Sequence, residues 1–442
     1  MNQPTPIRAA IGKLGILLPG LGAVATTTMA GVFLARRGLA SAIGSLTQVG
    51  TIRTDTRSDG RAVRLVDFLP LASLDDIAFG AWDVFPDDAF AAAEHARVLD
   101  SHHLEAVREE LSAVRPMPAA FYPEYVRRLQ GTHVKTASCK AEMVEQLRDD
   151  IRTFKRAQGC SRLVAVWCGS TEIHLTATAV HESIRAFEDG LRASAAEISA
   201  SQLYAWACIL ERVPFANGSP SLTADFPAAR ALAREHRVPL AGKDFKTGQT
   251  LLKTIIAPGL KARALGLRGW YSTNLLGNRD GEVLEDPASF RTKELSKLGV
   301  LEAMLSGRDP DLFPAFVHKV GIDYYPPRGD AKEAWDSIDL FGWLGYPMQL
   351  KMNFLCRDSI LAAPLVLDLA LFLDLSQRAD LHGTQEWLGF YFKSPMTAPG
   401  CGPEHDLSAQ LATLEKKLCW LMGGDTDPGN NPQSPRNNSL PP

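Results

Sequence analysis

Apolar and polar positions follow two rhythms along this chain. Residues 14–18, Leu-Gly-Ile-Leu-Leu, form an unbroken apolar run closed by Pro19-Gly20, the pattern of a short buried strand. A helical stretch follows to about Arg37, and Gly38 stands where glycine commonly closes a helix. A second apolar segment begins near Ile43. Residues 162–167, Arg-Leu-Val-Ala-Val-Trp, read as another strand, followed by a Cys-Gly-Ser-Thr turn. Strands alternating with helical patterns predict βαβ units and a mostly parallel sheet, hence the α/β class.

The pattern changes over residues 244–357. Polar, glycine-rich blocks become dense, and Trp270-Tyr271 and Asp323-Tyr324-Tyr325 suggest strands of a second domain. The apolar stretch 360–375 then reads as a buried helix returning to the first. The expected partition is 1–243 and 358–422 for the first domain, 244–357 for the second, and a tail over 423–442. That tail holds five prolines among Asn and Ser, a composition that predicts disorder. Residues 14–35 carry no charge and are long enough to cross a bilayer, but Pro19, four glycines and Thr26-Thr27-Thr28 suit a strand, a turn and a helix start better. No membrane span and a cytoplasmic location are therefore expected.

A length of 442 residues favours two domains, and 45% hydrophobic with 22% charged residues is ordinary for globular proteins. A formal net charge of −3 gives no reason to expect nucleic acid or an acidic membrane as partner, so a phosphorylated substrate would need a local basic cluster. Seven cysteines without a C-x-x-C pair argue against a disulfide framework and a cysteine zinc site.

Gly20-Leu21-Gly22-Ala23-Val24-Ala25 lies between the first strand and its helix. Glycines there let backbone approach a pyrophosphate at the helix N-terminus, with Ala25 in the third glycine's place. A purely structural turn is the competing account. The usual acid for the ribose is not evident: Ser45, Thr47 and Gln48 stand near the expected place, Asp55 lies further on, and NAD over NADP does not follow from the local pattern. The chain lacks a G-x-x-x-x-G-K-[ST] loop, a G-x-S-x-G elbow and H-E-x-x-H. His174 and His181 match no standard metal spacing, and no metal ligand is assigned.

Six blocks in the second half collect amines and carboxylates: residues 242–250, 274–281, 291–297, 329–332, 356–359 and 392–395. Lys293 and Lys297 are four apart and share a helix face, either as a solvated surface or as a seat for a dianion. Asp330 with Glu333 reads equally as a capping box, Asp358 as a helix cap, and Asn278 to Gly281 as a plain turn. Together the blocks supply what proton transfer beside a phosphate requires.

In this order the blocks resemble the signatures of the inositol-3-phosphate synthase family, from about Lys13 to Pro399. Gly44 to Gln48, Trp82-Asp83 and Asn217-Gly218-Ser219-Pro220 also have counterparts there. The glycine loop is a looser match, Thr247 replaces a common Ser, and Arg279 and Arg357 depart from the eukaryotic pattern. The resemblance implies a Rossmann-type NAD-binding domain with an inserted α+β domain carrying catalysis and oligomer contacts. It implies redox-neutral cyclisation of D-glucose 6-phosphate to 1D-myo-inositol 3-phosphate with NAD, in a homotetramer, with a divalent or monovalent cation used by some members. Lys293, Lys297, Lys332, Lys393, Asp244, Asp280, Asp330 and Asp358 would be catalytic. Thr247, Asn274, Leu276 and Asn278 would bind substrate. Gly20, Gly22, Ala23, Val24, Ala25, Asp83, Ser170, Thr171, Gly218 and Ser219 would bind the cofactor. The competing functions are a net sugar-phosphate oxidoreductase and a catalytically silent NAD-binding scaffold.

Overall fold

The computed structural model describes residues 7–53, 62–305 and 309–424, so the expected tail lies outside it apart from residues 423–424. The strands in chain order are β1 (Lys13–Pro19), β2 (Thr51–Arg53), β3 (Ala62–Arg64), β4 (Ile77–Asp83), β5 (Met117–Pro118), β6 (Cys160–Trp167), β7 (Phe215–Asn217), β8 (Pro239–Gly242), β9 (Gly266–Leu276), β10 (Val317–Tyr324), β11 (Ala331–Phe341), β12 (Pro347–Arg357) and β13 (Gly383–Thr384). Seven form a parallel sheet in the order β13-β8-β7-β6-β1-β4-β5. β1 is central, pairing in parallel with β4 and β6, and its apolar run is buried on both faces as such a strand requires. The chain leaves β1 toward β4 on one side and fills β6, β7 and β8 on the other. This topological switch point is where open α/β sheets bind ligands.

Helix α1 (Ala23–Arg36) carries the threonine run inside the core. Thr26 Oγ donates to the Gly22 carbonyl and Thr28 Oγ to the Val24 carbonyl, whereas the buried Thr27 hydroxyl has no partner. Gly38, at φ +67°, ends the stretch in the left-handed conformation that glycine adopts freely. The apolar segment near Ile43 is instead an exposed loop side chain followed by a short helical turn. The Ser45 and Thr47 hydroxyls point inward to Asp368, at 2.6 Å each.

The second sheet has the order β10-β9-β11-β12. Helices α2 (Gly248–Ala262) and α4 (Pro287–Leu305) pack on one face through Ala257, Leu260, Val300, Leu301 and Leu305. The short helix α3 (Arg279–Leu284) precedes α4. Among the described residues no helix covers the opposite face of the sheet, which leaves Tyr271, Val317, Trp335 and Leu355 exposed. Helix α5 (Asp358–Arg378) then runs through the core of the parallel sheet against α1. Among the described residues it is the helix long and apolar enough to cross a membrane, and most of it is buried in protein. Of its buried charges, Asp374 meets Arg162 at 2.7 Å and Arg378 at 2.9 Å, and Asp368 is held by hydroxyl and backbone donors.

The capping-box reading of Asp330 and Glu333 is overturned, because residues 331–341 form strand β11. The register decides this: β11 sits between β9 and β12 with its alternate residues Ala334, Asp336, Ile338 and Leu340 buried. Asp358 does not cap α5. It is the first helical residue, and its carboxylate is taken by Lys332. Asn278 is more than a turn residue, for its side chain caps α3 by accepting from the Gly281 N–H.

Candidate active site

The carboxyl ends of β1, β4, β6, β7 and β8 open on a cleft of about 620 Å³ whose far wall comes from the second sheet and α4. After β1, Gly20 is at φ +93° and lies so close to the next turn that a Cβ would stand 2.6 Å from the Gly169 Cα. Gly22 faces open space at the N-terminus of α1, which no side chain caps. Leu21, Gly22, Ala23 and Val24 line the cleft, whereas Ala25 is buried in the helix. Bare N–H groups, a helix dipole and absent side chains fit the pyrophosphate of a dinucleotide.

Asp83 ends β4, the strand that neighbours β1, and so occupies the usual place of the ribose-binding acid. A search by sequence distance misses it because residues 37–76 intervene between α1 and that strand. Its Oδ2 accepts from the Leu21 N–H at 2.6 Å and its Oδ1 from the Phe85 N–H at 3.0 Å, which pins the glycine loop. Burial raises its pKa, with these two donors opposing. Ser170 and Thr171 after β6, and Gly218 and Ser219 after β7, complete this wall. A Cβ at Gly218 would meet the Phe245 ring at 2.2 Å and the Trp167 carbonyl at 2.5 Å.

Asp244 follows β8 and is held by three backbone bonds. Its N–H donates to the Ser219 carbonyl at 3.0 Å, the Phe245 N–H to the Gly218 carbonyl at 3.0 Å, and the Lys393 N–H to the Asp244 carbonyl at 2.7 Å. Its φ of +64° is a left-handed value that Asp tolerates better than most residues. The carboxylate gathers Lys293 at 2.9 Å, Lys393 at 3.2 Å and the Ser296 hydroxyl at 2.7 Å. Burial opposes ionisation of Asp244, but the two ammonium groups outweigh it and hold the carboxyl at about 2. The same contact keeps Lys293 above the ordinary lysine range against burial. Lys393 gains less from Asp244 than burial costs it and falls to about 8.

A second pair stands beside the first. Lys332, near the start of β11, meets Asp358 at 2.9 Å. Against burial, the attraction lifts Lys332 and holds Asp358 below the carboxylate range. Asp330 accepts from Asn278 at 3.0 Å and Ser359 at 2.9 Å, tying α3 to α5, and burial raises its pKa. One oxygen of Asp330 and one of Asp358 have no partner.

Lys297 is buried one turn beyond Lys293, and its Nζ has no hydrogen-bond partner. Burial first, then the ammonium groups of Lys332, Lys393, Lys253 and Lys293, depress its proton affinity well below that of an ordinary lysine. The helix face carrying Lys293 and Lys297 is therefore interior, not solvated. Asp280 and Thr247 line the cleft as well.

Two of the sequence-derived substrate residues are elsewhere. Asn274 is buried within β9 and donates to Gln249 Oε1 at 2.6 Å, and the Leu276 side chain is buried at the end of the same strand. Neither lines the cleft. Ser296 and Ser359, which bind Asp244 and Asp330, are absent from the expected set although both fall inside the polar blocks. Arg279 also faces the cleft, stacked 4.4 Å from the Phe85 ring centroid and 3.2 Å from His95 Nε2. Among the described residues, Asp100, His102 and His103 bring three possible metal-ligand atoms together, on the surface outside the cleft lining.

The profile of the NAD-binding myo-inositol-1-phosphate synthase family matches residues 14–418. Inositol-3-phosphate synthase 1 of Bacteroides thetaiotaomicron is 51% identical, over 94% of this chain and 97% of its own length. The human inositol-3-phosphate synthase 1 is 34% identical over 93% of this chain and 79% of its own. The crystal structure of the Caenorhabditis elegans inositol-3-phosphate synthase superposes with a TM-score of 0.89 at 28% identity, covering 96% of this chain and 88% of that one. With its glycine loop and lysine–carboxylate pairs in one cleft, this chain belongs to the myo-inositol-1-phosphate synthase family.

Proposed function

We propose that this enzyme cyclises D-glucose 6-phosphate to 1D-myo-inositol 3-phosphate. The observation that carries the reading is a lysine–carboxylate cluster in the same cleft as the bare α1 N-terminus: Lys293 and Lys393 line it with Asp244 and Asp358, Lys332 is paired with Asp358, and Lys297 is buried one turn from Lys293. Bound NAD supplies a hydride acceptor at C5 of the sugar and returns the hydride at the end, so no net redox occurs. The residues of the chain do the rest. Lys293 and Lys332, kept charged by Asp244 and Asp358, suit oxyanions developing at C5 and C1. Lys297, unpaired and weakly basic, and Lys393, near 8, suit proton transfer from C6 and contact with the phosphate. The partner-free oxygens of Asp330 and Asp358 suit substrate hydroxyls, and Asp280, Asn278 and Thr247 complete that wall.

A net oxidoreductase does not need four lysines, and a silent scaffold gains nothing from buried, clustered charge. The same proposal assigns residues 244–357 to catalysis and assembly and the remainder to the cofactor. The helix-free sheet face with Tyr271, Val317, Trp335 and Leu355 is the contact for a homotetramer. Seven free cysteines accord with a cytoplasmic setting.

The test is a ¹H and ³¹P NMR time course with glucose 6-phosphate and catalytic NAD⁺, with absorbance followed in parallel. An inositol phosphate without NADH build-up is expected. Steady NADH accumulation would point to the oxidoreductase, and bound NAD without product, with metal ions also tried, to the scaffold.

A further inference from the structure

Behind the lysine cluster lies a buried charge that the mechanism above does not use. Lys253, on α2, is 1% exposed, and among the described residues no carboxylate forms a salt bridge with it. Its Nζ donates instead to His318 Nε2 at 2.9 Å and lies 5.8 Å from the Trp270 ring centroid. Asp336 is near enough to favour the charged lysine, but its oxygens are already taken by neutral donors: Trp270 Nε1 at 2.7 Å, Ser272 Oγ at 2.6 Å and Gln249 Nε2 at 3.0 Å. His318 is half-buried beside this ammonium; desolvation first, then the ammonium, keeps the ring neutral and so able to accept. The ring lies against the backbone of Leu298, the residue after Lys297.

Helices α2 and α4 pack directly, and the Lys253 charge acts on Lys297. An apolar side chain would fill this place at lower cost than an unpaired ammonium. We propose that the Lys253–His318 pair is a positioning unit for Lys297: a fixed positive charge that keeps this amine a proton acceptor when substrate arrives. Four ammonium groups bear on Lys297: Lys332 from β11, Lys393 from the segment after β13, Lys253 from α2 and Lys293 from its own helix, while α3 brings Asp280 and β10 the neutral His318. Of these, Lys293, Lys332 and Lys393 face carboxylates that offset them, whereas Lys253 faces a neutral imidazole. Burial lowers Lys253 itself to about 8, so its influence is present at neutral pH and fades in alkali.

The inference rests on the cleft being the active site, and one experiment separates the two claims. kcat and KM of the NAD-loaded full-length protein are measured from pH 6 to pH 10 on glucose 6-phosphate. Without the Lys253 charge Lys297 holds its proton more tightly, so the acid limb of kcat moves up. On the acid limb Lys253→Met should turn over about tenfold more slowly than the unaltered protein, the effect of one pKa unit. Near pH 9.5 the two should agree within about twofold, with KM little changed. Lys253→Arg, which keeps the charge, should restore the limb. A Lys253→Met profile scaled down equally at every pH, or identical to that of the unaltered protein, would overturn the proposal. If that variant does not fold, Lys253→Gln, which removes the charge but keeps a polar group beside His318, is judged by the same two outcomes. An unaltered protein without synthase activity would instead defeat the functional reading.

Discussion

At the scale of single residues, the site depends on unequal pairing between four ammonium groups and a few carboxylates. Asp244 serves two lysines, Asp358 one, and Lys297 has none. Lys293→Ala is expected to reduce turnover by roughly 10²–10⁴-fold while the protein stays folded, the range for one acid–base or oxyanion group. Near-normal kcat in that variant would remove Lys293 from the chemistry. The same pairing makes stability depend on pH. Asp244 is near 2 when folded, below the unfolded value of about 3.9. Such a group adds stability that is fully present above the unfolded value and is lost as pH falls through the folded one. Thermal melts from about pH 4 to about pH 2 should therefore decline more steeply for the unaltered protein than for Asp244→Asn. Asp330, raised by burial, works the other way, since acidification relieves its cost.

At the scale of elements, the carboxyl edge of the parallel sheet works as a mounting rail. The turn after β7 packs against the segment after β8, so Gly218 has no room for a side chain beside Phe245. Gly218→Ala should lower stability by about 1–3 kcal/mol through overpacking, read by denaturant titration. It should also weaken NAD binding, read by calorimetry, because Ser219 and Asp244 move with that turn. Unchanged values would mean that the Phe245 ring yields freely. The small sheet works differently. It brings Lys332 and the start of α5 together through adjoining strand ends, where Ala331 pairs with Arg357.

At the scale of the whole molecule, one sheet is covered and the other is half bare. Tyr271, Val317, Trp335 and Leu355 share the face of the second sheet that bears no helix, and apolar side chains in such a row seek a partner surface. Replacing Trp335 with Asp in a Leu355→Glu background should shift the mass measured by light scattering toward the single chain. An unchanged assembly would place the contact elsewhere. Neither position lines the cleft, so NAD binding by the separated chains would report whether the cofactor site needs its neighbours.

Periodicity and glycine placement determined the large elements. The run 14–18 had to be a buried strand, Gly38 had to end the helix after it, and 360–375 had to be buried, because too few polar residues were available to make these surfaces. Each lysine and carboxylate block alone was ambiguous in the sequence; together they supplied amines and carboxylates for proton transfer beside a phosphate, and the family resemblance assigned their roles. Pairing was not legible. Whether Asp330 opened a helix or preceded a strand depended on β9 and β12, distant in sequence, and a short capping pattern carries no trace of them. Asn274 and Leu276 stood in a polar block but turn into the interior, since strand alternation sends each side chain to a face that register alone assigns. Asp83 stands at the end of the strand beside β1 only because the sheet pairs β1 with β4, which is distant in sequence. Lys253, one of two lysines on α2, became meaningful only once tertiary packing buried it beside His318 and against α4.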